Sequence, residues 1–130
     1  LYMGYANESS TGTRDDDTEL TYGLDYSMGP VKIGYQESQV EDATAAGDEV
    51  VAYGINFAVN DDLTVSYSAT ENTVKAHASS ASSTSEASGL NASYSIGGGS
   101  IRIFTGEQDN AGYTSGVTKK HTEISLSMSF

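Results

Sequence analysis

A chain of 130 residues has room for one domain and not comfortably for two. It holds no Cys, and its 6 Lys and Arg against 18 Asp and Glu give a formal net charge of −12, so disulfides, thiolate metal sites and a nucleic-acid partner are set aside. No apolar run reaches the roughly eighteen residues of a membrane-crossing helix; the mean hydropathy of −0.37 does not exclude crossing by strands, where only alternate residues meet lipid.

In chain order the dominant pattern is period-2 alternation, which sends successive side chains to opposite faces of a strand. Leu1 to Glu8 is a first strand-like run, and a start inside such a run leads us to expect strands upstream. Leu20, Tyr22, Leu24, Tyr26 and Met28 alternate with small or polar residues, as do Val31, Ile33 and Tyr35 after the turn at Gly29-Pro30. Val51, Tyr53, Ile55, Phe57 and Val59 lead into Asn60-Asp61-Asp62, and Leu63, Val65 and Tyr67 follow it. Leu90, Ala92, Tyr94 and Ile96 lead into Gly97-Gly98-Gly99, and Ile101 and Ile103 follow. Ile124, Leu126, Met128 and Phe130 end the chain. These are eight strands of an antiparallel, up-and-down, all-β segment occupying residues 1–130.

The connections differ by side. Tight turns alternate with long polar stretches at Ser9–Thr18, Glu41–Glu49, Thr73–Ser88 and Asp109–Thr122, the sorting expected of a transmembrane β-barrel with its short turns facing the periplasm. Tyr22–Met28 matches Tyr53–Val59 in character, so each hairpin reads as one copy of a repeated unit. Ala76–Ser88 is low in complexity and reads as a surface loop.

One face of these strands is apolar and the other is mostly Gly, Ser, Thr, Ala and Asn. Small inward residues would leave a narrow eight-stranded barrel hollow, whereas a wide pore needs a polar wall that stops short of the axis. Parity assigns Glu19, Asp25, Lys32, Gln36, Asn56, Asn91, Arg102 and Glu123 to that wall. Lys32 and Arg102 either form a basic patch or pair with acids such as Asp25. Tyr26, Phe57 and Tyr94 recur near the short-turn end of the apolar face and read as an aromatic girdle; strand propensity alone is the other reading.

Nothing resembles a catalytic constellation. His77 and His121 fall in or beside different loops without a nucleophile at recognisable spacing, and Gly97-Gly98-Gly99 lacks the Lys of a phosphate loop. Asp15-Asp16-Asp17 offers carboxylates to calcium or magnesium without the ligand spacing of an EF-hand, so a solvated loop is the stronger reading.

The last strand, Glu123 to Phe130, resembles the C-terminal signal of outer-membrane proteins in Leu126, Met128 and the terminal Phe130, although Ser125 stands where family members often have Gly. Ser27–Tyr35 and Phe57–Thr64 resemble the general porins of alphaproteobacteria. That resemblance implies the C-terminal half of a sixteen-stranded porin, a homotrimer in the bacterial outer membrane that passes small polar solutes. It also implies lipid, lipopolysaccharide and the barrel-assembly machinery as partners, and no cofactor. The competing readings are a complete eight-stranded barrel serving as anchor or adhesion platform, and a soluble β-sandwich that binds a ligand.

Overall fold

The meander expected from the alternation is the observed topology: one antiparallel sheet in the order β1-β2-β3-β4-β5-β6-β7-β8. The computed structural model describes residues 1–8, 17–42, 46–75 and 82–128. Its strands are β1 Tyr2–Glu8, β2 Asp17–Met28, β3 Val31–Glu41, β4 Gly47–Ala58, β5 Leu63–Lys75, β6 Ser83–Ile96, β7 Gly99–Asp109 and β8 Lys119–Met128. Each pairs with its sequence neighbours alone, and β1 and β8, which share no ladder among the described residues, are the sheet's two edges.

The turns close where the sequence places them. Gly29 (φ 57°) takes the positive φ that begins a two-residue hairpin between Met28 and Val31, and Gly97 and Gly98 (φ 30° and 88°) do the same between Ile96 and Gly99. Asn60 uses its side chain instead: Oδ1 accepts from the amides of Asp62 and Leu63 at 2.9 and 2.8 Å, a local Asx-type turn. Neighbouring hairpins are tied at this end, since Ala58 N donates to Pro30 O and Ser95 N to Asp62 O, both at 2.9 Å.

At the opposite end the strands run further than the alternation suggests. Glu41 and Glu49, expected in a loop, belong to β3 and β4; Ser83–Ser88, expected in the Ala/Ser-rich loop, opens β6; and Lys119–Thr122 opens β8. There both faces are polar, so alternation disappears from the sequence while the backbone ladder, which needs no apolar side chain, continues. Between β7 and β8 a 3-10 turn at Ala111–Tyr113 packs on β6, and Asn110 Oδ1 accepts from Gly116 N at 3.1 Å.

The sheet has no core of its own. Among the described residues Ala69 and Ala111 are the buried apolar ones, while Ile55, Tyr94 and Leu126 are 45, 46 and 66% exposed. A soluble sandwich would pack a second sheet about 10 Å away on such a face. Among the described residues none is present.

Candidate functional site

The ladder assigns each side chain to a face by its partners. The eight residues expected on the wall all share one face, the polar one. One row of paired residues runs Ser27, Lys32, Asn56, Ser66, Asn91, Phe104, Glu123 across β2 to β8. The next row towards the loop end runs Asp25, Gly34, Gly54, Ser68, Gly89, Gly106, His121. Arg102 lies on the turn side of these rows, beside Ser93 and Ser125; Gln36 and Glu19 lie on the loop side, paired with Gly23 and with Ala6 and Val40.

The four glycines of this row leave Ser68 as the one side chain between Asp25 and His121, except where aromatic rings lie over the row. The Phe104 ring covers two paired glycines: a Cβ at Gly89 would lie 2.5 Å from it and one at Gly106 2.8 Å. Tyr2 covers Gly23 in the same way and donates from its hydroxyl to Gln36 Oε1 at 3.1 Å. Sequence reasoning assigned neither ring to the wall. The signal was their parity: Tyr2 and Phe104 break the small-residue pattern on the face where glycines sit across the ladder.

Charge on this face is only partly paired. Arg102 Nε donates to Asn91 Oδ1 at 2.5 Å, and no salt bridge joins Lys32 or Arg102 to an acid among the described residues, so the pairing with Asp25 is not formed. His121, expected in or beside a loop, is on β8, with Nε2 3.6 Å from Glu123 Oε2. Among the described side chains on the strands, Asp17, Glu19, Asp25, Asp48 and Glu123 share this face with Lys32, Arg102 and Lys119, five carboxylates to three cations.

The opposite face carries an apolar belt with an oblique outline. The row through Met28 continues as Val31, Phe57, Val65 and Ala92, yet the third turn closes at Ile96, four residues below Ala92. The turns therefore drop by one residue per strand. The belt's upper limit drops in the same direction, from Leu20 on β2 to Ile124 on β8, which lies in the row of Met28. With a rise of 3.3 Å per residue and strands 4.8 Å apart, a level belt needs strands tilted by about 35 to 40°.

Tyr26, Phe57 and Tyr94 are on this face, each one row above its own turn, so they descend parallel to the turns and are level at that tilt. Tyr5, Tyr22, Tyr35, Tyr53 and Tyr67 form a second descending line near the upper limit, which the sequence reading did not separate from strand propensity. Leu126 and Met128 end the belt on β8.

Above the belt the same face becomes acidic. Glu37, Glu41, Glu49, Glu71, Glu86, Glu107 and Asp109 all lie there, on strands. Several of these fall in the long polar connections expected from the sequence, and the ladder places them on strands, on the face opposite the polar one. Lys75 reaches across Gly47 to Glu41 and Glu49, both at 3.0 Å, and Lys120 meets Glu107 at 2.9 Å. Asp15 and Asp16 of the candidate cation run, His77 and Phe130 lie outside the described residues. Asp17 opens β2 opposite Glu8, and no cluster of three metal-ligating side chains occurs among the described residues.

Comparison with protein-family models, curated proteins and solved structures found no match.

Proposed function

We propose that this sheet is part of a β-barrel wall in the bacterial outer membrane and that its polar face lines a water-filled channel for passive diffusion of small hydrophilic solutes and ions. The observation that carries the reading is the unpartnered apolar belt with parallel oblique limits. A soluble monomer rarely exposes so large an apolar face, and lipid is the partner that covers it without a second sheet. The tilt that levels the belt falls within the range of about 35 to 45° found in membrane barrels, and aromatic lines at both limits are the usual interfacial pattern. On β2 the belt runs from Leu20 to Met28, about 27 Å along the strand and about 21 Å in height at that tilt, near the roughly 25 Å of such bands.

The glycine row favours a wide pore over the complete eight-stranded anchor. A narrow barrel is stabilised by inward side chains that fill it, and four glycines in one row would leave a void. Closure into sixteen strands, the homotrimer, the contacts with lipopolysaccharide and recognition by the barrel-assembly machinery rest on the porin resemblance. In this reading the chain performs no chemistry and needs no cofactor. Planar bilayers test it: stepwise, ohmic conductance is expected, and stable insertion without conductance overturns the channel.

A further inference from the structure

On the channel wall so proposed, Phe104 is an anomaly, because a phenyl ring has no atom to offer the water of a pore. One side of it is taken by Gly89 and Gly106. Planar polar groups held by the ladder stand near the ring: Asn91 and Glu123 are its direct cross-strand partners, and the Arg102 guanidinium carbon lies over it, 6.0 Å from its centroid. The His121 ring is 6.2 Å away and tilted by 44°. These neighbours are oriented by one another. Asn91 accepts from Arg102 and donates to Ser66 Oγ at 3.4 Å, while Glu123 accepts from Ser125 Oγ at 3.1 Å.

An apolar disc rimmed by hydrogen-bonding groups of both polarities fits a solute with the same division. A pyranose ring has it: its C–H face is apolar, and its equatorial hydroxyls project around the edge as vicinal pairs. Planar guanidinium, amide and carboxylate groups can meet such pairs with two hydrogen bonds each. The charges of Arg102 and Glu123 balance, so the patch selects neither anions nor cations and suits a neutral ligand. Tyr2, the other ring on this face, is different, since its hydroxyl already serves Gln36 at the sheet's edge.

We propose that Phe104, with Arg102, Asn91 and Glu123, is a docking platform for the pyranose rings of neutral sugars on the polar face. It rests on the channel reading for access from the lumen. A single stacking face gives weak binding, which suits a channel because a solute must also leave. The other reading is that the ring only shields the backbone of Gly89 and Gly106, as aromatic residues do across from strand glycines.

Protein folded in detergent micelles is titrated with maltotriose and, separately, with mannitol, an acyclic polyol that presents no ring face, while amide resonances are followed. Saturable shifts at Asn91, Phe104 and Glu123 are expected with maltotriose, at millimolar dissociation constants, and none with mannitol. Phe104→Leu keeps apolar cover over the glycines and removes the flat face; it should weaken binding by about tenfold or more, a loss of about 1.4 kcal/mol. Equal binding of the two polyols, no saturable shift, or unchanged affinity in a folded F104L protein overturns the platform. Should F104L not fold, Arg102→Gln and Glu123→Gln keep the ring and carry the test: a weakening of about threefold in each supports it, and unchanged affinity in both overturns it. Bilayer conductance without sugar separates the two readings. Conductance without sugar binding removes the platform alone, and sugar binding without conductance removes the channel alone.

Discussion

Two residues on adjacent strands show how much depends on parity. Ile55 is in the middle of the belt on β4, and Ser66 on β5 projects from the opposite face beside Asn56 and Asn91. A lipid-facing Arg near the midplane of a barrel costs about 2 to 4 kcal/mol, whereas a lumen-facing one meets water. Ile55→Arg should therefore lower unfolding stability in lipid vesicles by that amount, and Ser66→Arg by less than about 1 kcal/mol; urea titration of the folded, heat-modifiable form reads both. Equal losses would mean that the apolar face does not meet lipid. At this scale the sequence was legible wherever one face is apolar, because parity then fixes both faces; all eight residues assigned to the wall share the polar face. It was not legible for Phe104 and Tyr2. Their place depends on glycines across the ladder, at Gly89 and Gly23, and cross-strand register is not written in a single strand.

The repeated hairpin is the element that sets the tilt. Tyr22 and Tyr53 occupy equivalent places in the two copies, yet the residue opposite Tyr22 through Glu37 is Val51, so Tyr53 stands two residues nearer the turns. Each copy thus descends by one residue per strand, and a regular repeat of sequence becomes a regular slant of the belt. The turns were legible because Gly29, Asn60, Gly97 and Gly98 have backbone or side-chain chemistry that few other residues supply. The loop-end limits of the strands were not, because polar residues on both faces erase the alternation while hydrogen bonding goes on. The last strand bears on assembly. Leu126 and Met128 continue the belt on β8, and if Phe130 completes an assembly signal, its deletion should reduce insertion without reducing synthesis. Equal amounts of heat-modifiable, membrane-inserted protein with and without Phe130 would contradict that role.

Over the whole molecule the acidic excess divides between two faces, and the division changes what it can do. Glu41, Glu49, Glu86 and Asp109, which the sequence puts in long polar connections, stand above the belt on its own side of the sheet, where Lys75 and Lys120 partly balance the acids. In the proposed channel the face that acts on a passing ion is the polar one, where the described strands carry five carboxylates against three cations. Exposed charges are screened within about 8 Å at physiological salt. A weak cation preference is therefore expected in reversal potentials across a dilute KCl gradient, fading as the salt is raised; clear anion preference at low salt would mean that Lys32 and Arg102 outweigh the carboxylates. The central claim is that one face of the sheet borders water and the other lipid, and the absence of native Cys makes it directly measurable. Asn56→Cys and Ile55→Cys place single thiols on the two faces of β4, and the conductance of bilayers holding each protein is recorded before and after a charged, water-soluble methanethiosulfonate is added. The account predicts a fall in conductance for N56C and no change for I55C; a channel in which I55C responds and N56C does not would contradict it.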